Sequence, residues 1–273
     1  MAQDDLDLSE RRSCRLLQHH RSTCRYHARP RDDARLRARL RELAAEYRRW
    51  GAGLLTDILR REGFADNHKR IWRVYNEEGL QVRRRRRGRK RYVATVRVKQ
   101  PVRGPDDRWA MDFVHDSFVD GRNFRALTTV DQCTRECPAV EVGLSVGGAG
   151  VVAVLDELAS RGRKPRELQL DNGPEFRSRV LVKWCHENGV ELRFITPGKP
   201  TENGHIESLN GTLRNECLNE HWFTDLAHAR EKIESWRERY NTFRPHSSLG
   251  GATPEEKYRE LRSRQSVQEC VVR

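Results

Sequence analysis

Hydrophobic residues recur with a helical period between residues 34 and 82. One apolar helix face is formed by residues three or four positions apart: Leu36, Leu40, Leu43 and Tyr47. Gly51 ends this helix, and the segments "GLLTDILRREGF" and "NHKRIWRVYNEEGL" predict two more helices. Three short helices with a basic last one are typical of a helix–turn–helix DNA-binding region. A bundle that contacts only protein would show the same pattern.

The period of the pattern becomes two after Pro105. The segments "RWAMDFVHDSFV", "FRALTTVDQCTR" and "ECPAVEVGLSV" alternate in part and predict three strands joined by short turns. Helices and strands then alternate, which gives the predicted order βββαβαβαα. We expect Pro174 at the start of the second of these helices and Gly189 just after its end. The predicted fold class is α/β, a five-stranded mixed sheet with helices on both faces, preceded by a small all-α region.

Charge is distributed unevenly along the 273 residues, whose formal net charge is +13. Residues 1–104 contain 29 Lys and Arg against 13 Asp and Glu, a net charge of +16, whereas the remaining residues have a net charge of −3. Such asymmetry indicates a polyanion-binding front end attached to a nearly neutral body. A solvated, arginine-rich surface without a partner is the alternative.

A basic run, "RRRRRGRKR" at residues 83–91, separates the two parts. Like charges repel and nothing in it is apolar, so it predicts a linker, and against DNA its charges would release counterions from phosphate. The candidate DNA-binding residues from this region and the last helix before it are Arg83, Arg84, Arg85, Arg86, Arg87, Lys69, Arg70 and Arg73. The predicted domains are a helical hairpin (1–33), the helix–turn–helix region (34–82), the basic linker (83–104), a catalytic core (105–262) and a tail (263–273).

Three acids in the second part suggest a metal site. Asp112 lies inside the first predicted strand, Asp171 ends the fourth, and Glu207 lies on the helix after the fifth. A carboxylate in an apolar strand is costly unless it is paired or bound to metal. If the first and fourth strands are neighbours, the two aspartates converge. Hard oxygen ligands suit Mg²⁺ or Mn²⁺. Asp116, Asp131 and Glu175 are rival ligands.

The joint pattern resembles a known family. The strand aspartate, "DNGPEF", the 35 residues between Asp171 and Glu207, "GKPTENGHIESLNGTLRNE" and "RPHSSLGGATPEE" are similar to bacterial insertion-sequence transposases, in particular their downstream-frame (OrfB) products. The catalytic core of those proteins resembles retroviral integrase. The resemblance covers roughly residues 105–260, and residues 34–100 resemble the helix–turn–helix region that precedes such cores.

The resemblance implies a ribonuclease-H-like fold and a triad of Asp112, Asp171 and Glu207 that binds two divalent ions. It implies DNA strand cleavage and strand transfer by a DDE-type polynucleotidyl transferase. The family often has a basic residue seven positions after the glutamate, which here is Arg214. Arg214 shares a helix face with position 210 and could reach DNA phosphate. Asn203 could contact DNA or orient the start of its helix.

Other functions remain open at this stage: a DNA-binding repressor with an inactive core, a ribonuclease-H-like nuclease without strand transfer, and a metal-free scaffold. The family's full transposase is often a fusion with an upstream-frame (OrfA-type) product, and no sustained heptads appear in residues 1–104. We therefore expect DNA, an upstream-frame partner and further copies of this chain as partners. Without a signal peptide or an apolar run that could span a membrane, we expect a cytoplasmic, nucleoid-associated protein with no membrane partner.

Overall fold

The computed structural model describes residues 9–26, 32–82, 101–196 and 203–271, with side chains up to residue 265. The described part begins with two short helices, α1 (Glu10–Leu16) and α2 (Arg21–Cys24). Arg25 donates to Glu10 at 2.7 Å and ties the end of α2 back to the start of α1. Both helices lie within residues 1–33, the segment for which the sequence predicts a helical hairpin.

Three helices form a separate bundle: α3 (Ala34–Glu46), α4 (Ala52–Arg61) and α5 (His68–Glu77). Its core contains the periodic leucines of α3 together with Leu55, Leu59, Ile71 and Val74, all fully buried. The chain turns between α4 and α5 at Gly63, whose φ of +85° favours glycine. The order helix, short connection (residues 62–67), helix confirms the predicted helix–turn–helix region.

The second part contains one five-stranded sheet, with β1 (Arg108–Ser117), β2 (Asn123–Asp131), β3 (Val140–Gly143), β4 (Glu167–Leu170) and β5 (Glu191–Phe194). The spatial order is β3-β2-β1-β4-β5. The first three strands pair antiparallel, while β4 runs parallel to both β1 and β5. The mixed sheet predicted from the sequence is therefore confirmed, and β1 lies at its centre, beside β4.

Helices cover both faces of this sheet, and the bounds are α6 (Gly148–Ser160), α7 (Arg179–Asn188), α8 (Gly204–Glu216), α9 (Leu226–Thr242) and α10 (Pro254–Val271). Alternate residues of β1 point to opposite faces. Ala110 and Val114 pack in a core with α8 and α9, whereas Trp109 and Met111 pack in another with α6 and α7. Asp112 has the same parity as Ala110, so it faces α8.

Two of three predicted helix and tail boundaries differ between the sequence prediction and the structure. Helix α7 begins at Arg179, not at Pro174, so the predicted start was wrong. Ser178 caps the helix by accepting from the backbone N–H of Leu181 at 3.4 Å. The preceding residues form a turn because Phe176 is fully buried and its N–H donates to the carbonyl of Gly173. Gly189 does end the helix, with φ of +65°. The expected tail boundary at residue 263 falls inside α10.

The bundle is docked on the sheet-containing part by aromatic and charged contacts. Tyr47 stacks on Trp50 with ring centroids 4.2 Å apart, and Phe243, just after α9, lies 5.6 Å from Tyr47. Arg61 of α4 pairs with Glu256 of α10 at 2.7 Å. The aromatic groups are partly or fully shielded, so these contacts hold the helix–turn–helix region against the end of α9. Among the described helices, none is long and apolar enough to cross a membrane.

Candidate active site

Two of the three predicted acids are brought together by the central strand pair. Parallel β1 and β4 pair Trp109 with Leu168 and Ala110 with Gln169. Continuing that register by two residues places Asp112 beside Asp171, at the point where β4 has just ended. The convergence expected if the first and fourth strands were neighbours therefore follows from the sheet order.

Hydrogen bonds fix both aspartate side chains. One carboxylate oxygen of Asp112 accepts from the backbone N–H of Phe113 at 2.8 Å, and the other accepts from Asn210 Nδ2 at 2.9 Å. Asp171 accepts from the backbone N–H of Gly173 at 2.8 Å, a local bond that closes the turn after β4. A side chain at position 173 would crowd this carboxylate, since an added Cβ would lie 2.9 Å from its Oδ1.

Asn210 is a site residue that sequence reasoning did not single out. Its Oδ1 accepts from Thr128 Oγ1 at 2.7 Å, and that hydroxyl also lies 3.1 Å from the Asp112 carbonyl oxygen. Thr128 is fully buried on β2, directly opposite Asp112 in the antiparallel register. The donation from Thr128 fixes which end of the amide faces the carboxylate. The signal available in the sequence was the shared helix face of Glu207 and position 210.

Glu207 approaches the aspartates from the first turn of α8. Buried Ile206, Leu209 and Leu213 hold this helix on the sheet and leave Glu207 exposed on its rim. Burial raises the pKa of Asp112, and the negative charges of Asp171 and Glu207 raise that pKa further. The structure therefore brings Asp171 and Glu207 within electrostatic range of Asp112, and no cation is among the dominant influences on Asp112.

The donor set fits a hard divalent cation. Three carboxylates that repel one another, one of them with its pKa raised by burial, are stabilised when a positive ion binds between them. Within the described ranges, no three acidic, histidine or cysteine side chains stand close enough together to enclose a metal ion. Asp171 and Glu207 both act electrostatically on Asp112, but the three side chains do not close around one point.

The rival acids have other partners. Asp131 is fully buried and accepts from the backbone N–H groups of Asp106, Cys133 and Thr134, so it holds the turn after β2. Arg125 donates to Glu175 at 2.5 Å and holds the pKa of that carboxyl below its usual range. These two acids are accounted for by protein contacts.

Arg214 lies at the rim of the site. Its guanidinium donates to the carbonyl of His115 at 2.6 Å and lies 3.8 Å from Asp116, the third rival acid. It is exposed and on the same side of the sheet as Asp112. Asn203, in contrast, is buried at the start of α8, where its Oδ1 lies 3.5 Å from Gln169 Nε2. Burial favours a positioning role for Asn203 over direct contact with DNA.

The predicted DNA-binding residues of the bundle divide into two groups. Lys69 is exposed on α5, whereas Arg70 and Arg73 both bind Asp33 at the start of α3, at 2.7 and 2.6 Å. Hydrogen bonds from the two arginines lower the pKa of Asp33. The guanidiniums therefore hold the bundle together. Arg83, Arg84, Arg85, Arg86 and Arg87 lie outside the described residues.

Family models match most of the chain. Residues 102–200 and 188–254 match models of the integrase core domain, and residues 30–88 match an HTH-like domain. An uncharacterized 31.7 kDa protein of insertion element IS407 from Burkholderia multivorans is 45% identical over 93% of this chain and 91% of that protein. The chain belongs to the insertion-sequence transposases with an integrase core. The predicted family is thereby confirmed.

More distant relatives of this transposase agree in function and fold. The putative transposase InsK of element IS150 from Escherichia coli is 26% identical, over 86% of this chain and 88% of the relative. One chain in the structure of the simian T-cell lymphotropic virus intasome, solved with a regulatory subunit of PP2A, matches this protein with a TM-score of 0.53 and 15% identity. The match covers 80% of this chain and 73% of the viral structure's chain. The ribonuclease-H-like fold and the enzyme class, a polynucleotidyl transferase for DNA cleavage and strand transfer, are confirmed.

Proposed function

We propose that Asp112, Asp171 and Glu207 are the catalytic acids of this transposase and that they bind two divalent ions, Mg²⁺ or Mn²⁺. The observation that carries the proposal is the parallel β1–β4 register, which sets the two aspartates side by side, together with the raised pKa of Asp112 caused partly by the other two acids. Mutual repulsion of the three carboxylates is relieved when they share positive charge.

The residues around the acids prepare them for this role. Asn210 and the backbone of Phe113 hold the Asp112 carboxylate in one orientation, and the turn at Gly173 does the same for Asp171. Glu207 arrives on α8, whose own apolar face fixes its distance from the sheet. When bound, the ions would activate the attacking water or 3′-hydroxyl and stabilise the leaving oxygen. Exposed Arg214 would contact a DNA phosphate beside them.

The test is strand cleavage and joining on labelled DNA that carries the element's end, with Mg²⁺ or Mn²⁺. We expect Asp112→Asn and Glu207→Gln to abolish both reactions while DNA binding survives. Asp116→Asn is the matched control, because it removes an acid from the same strand and the same side of the sheet but should leave cutting intact. Activity that persists in Glu207→Gln and is lost in Asp116→Asn would refute the assignment.

Product analysis separates strand transfer from simple hydrolysis. A nuclease with the same fold and acids would use only water to cleave the strand. It would never join the cut end to a target. We expect joined products that vanish in Asp171→Asn together with the cut ones. Hydrolysis without any joining, by the chain fused to its upstream-frame partner, would contradict a transposase reaction at this site.

The partners belong to the same proposal. We propose that the chain acts on element ends and target DNA as a multimer, with an upstream-frame product, at the nucleoid in the cytoplasm. The HTH-like match supports DNA as a partner. The isolated chain should bind DNA weakly and with little sequence preference, and salt should weaken that binding steeply because of residues 83–91. Tight binding of terminal repeats by this chain alone would refute the need for the upstream product.

A further inference from the structure

Helix α5 has an outer face that the fold does not use. Ile71 and Val74 on its inner face are fully buried in the bundle core. His68, Trp72 and Asn76 recur every fourth residue on the opposite side, and all three are exposed. Trp72 leaves 59% of its surface open to solvent. Because most of the indole is open to solvent, it contributes little to the bundle core, and this helix face is available to a partner.

The arginines of α5 are not available to bind a partner on this face. Arg70 donates to Asp33 and to the carbonyl of Asp32, and it lies 2.8 Å from Asp66. Arg73 pairs with Asp33 and, one turn on, with Glu77. Both guanidiniums are thus directed along the flanks of the helix, toward α3 and the helix's own acids. The outward stripe is left to the aromatic and polar side chains.

The charge around the stripe favours a polyanion. No acid lies on the exposed stripe itself, and Lys69 stands beside it. The two acids at the end of the helix, Glu77 and Glu78, are paired with Arg37 of α3, and Arg41 also pairs with Glu78. The N-terminal part of the chain has an excess of positive charge. An acidic partner surface would therefore meet no like charge on this face and would find Lys69 beside it.

We propose that Trp72 contacts the base edges of duplex DNA in the major groove. Helix α5 is the second helix of a helix–turn–helix, and such a helix presents its outward residues to the groove. The apolar indole edge suits a thymine methyl group, which is a single contact and so adds little sequence preference, while Lys69 at the start of the helix reaches phosphate. The proposal rests on the transposase function and deepens it, because it assigns base contact to Trp72 and removes it from Arg70 and Arg73.

The native tryptophans provide the assay. Four of the six are buried, namely Trp50, Trp109, Trp184 and Trp236, whereas Trp72 and Trp222 are exposed. Trp222 lies on the other part of the chain and is 84% exposed. The variants Trp222→Phe and Trp72→Phe each leave one exposed tryptophan. Acrylamide quenching of their fluorescence, with and without duplex DNA and with EDTA present, then reports which indole is covered.

In the Trp222→Phe chain, which keeps Trp72, we expect DNA to reduce acrylamide quenching of the tryptophan fluorescence. In the Trp72→Phe chain, which keeps Trp222, DNA should leave the quenching unchanged. In parallel, fluorescence anisotropy of a labelled element end should show Trp72→Ala weakening binding about tenfold or more, with Trp222→Ala unchanged. The salt dependence of binding should be the same in both, because an indole neutralises no phosphate.

Two results would overturn the proposal. One is equal affinity of Trp72→Ala and wild type, and the other is a Trp72 that stays accessible while anisotropy shows DNA bound. In that case the face serves a protein partner. Because EDTA is present, neither result depends on the metal site. Failure of the catalytic assignment would appear instead as cleavage that survives Asp112→Asn, so the two failures are distinguishable.

Discussion

Asn210 gives the sharpest test of how the active site is held. Its amide supplies one of the two hydrogen bonds to the Asp112 carboxylate, and Thr128 fixes the amide in turn. Replacement by alanine removes the side-chain bond but leaves Thr128 a second acceptor, the Asp112 carbonyl oxygen at 3.1 Å. The fold should therefore tolerate Asn210→Ala, and the loss should fall on the orientation of the carboxylate.

The size of the effect follows from the kind of bond. A hydrogen bond to a charged group contributes about 1.5–3 kcal/mol. Since about 1.4 kcal/mol corresponds to a factor of ten, the loss amounts to roughly 10- to 100-fold, which is also the effect of removing a side chain that orients a metal ligand. We expect the Mg²⁺ concentration that gives half-maximal cleavage to rise by that factor, with much of the rate recovered at saturating metal.

The assay is a metal titration of strand cleavage, with circular dichroism to check folding. Asn215→Ala is the matched control, because it truncates an exposed asparagine on the same helix that makes no bond to the acids. If Asn210→Ala and Asn215→Ala reach half-maximal activity at the same Mg²⁺ concentration, Asn210 does not position Asp112.

Three further predictions concern stability. Asp131→Asn should destabilise the fold by about 1–3 kcal/mol in urea denaturation, because a buried acceptor of three backbone N–H groups is altered; an unchanged midpoint would contradict this. Phe243→Ala should weaken the docking of the bundle by about 0.5–1.5 kcal/mol per aromatic pair. Limited proteolysis between the bundle and the core should then become faster. Phe194→Ala, which truncates an exposed phenylalanine at the sheet edge, should leave the proteolysis rate unchanged. The raised pKa of Asp112 means that its ionisation opposes folding of the metal-free protein. Stability relative to Asp112→Asn should therefore fall as the pH rises from the ordinary aspartate value of 3.8 through the raised pKa, and Mg²⁺ should reverse the fall; parallel melting curves at all pH values would refute this.

The strands and the positions of the two aspartates on them could be predicted because their signals are local, whereas the pairing of β1 with β4 entered only as a condition. Alternation locates β1, the apolar run locates β4, and parallel pairing of those two strands leaves Asp112 and Asp171 no other arrangement. The start of α7 was misplaced because a proline is a weaker signal than the buried Phe176, whose burial depends on packing that the sequence does not display.

What escaped prediction depends on contacts between distant parts of the chain. Asp33 is paired with Arg70 and Arg73, which lie 37 and 40 positions away, so two of the predicted DNA-binding arginines are already engaged within the bundle. Asn210 meets Asp112 across 98 positions. Composition shows that such side chains are present but not which of them meet. Periodicity finds elements, and only the packed structure shows which polar groups are already engaged.

The long-range β1–β4 pairing also sets the order in which the parts of the proposed active site come together. Strand β1 pairs with its immediate successor β2 through a short hairpin, but its partnership with β4 brings together residues 59 positions apart, such as Trp109 and Leu168. Local contacts form before distant ones. A nascent chain on the ribosome would therefore fold the hairpin first, gain the second aspartate later, and receive Glu207 last. If the three acids form the proposed triad, a chain whose synthesis has not yet reached α8 lacks Glu207 and is inactive.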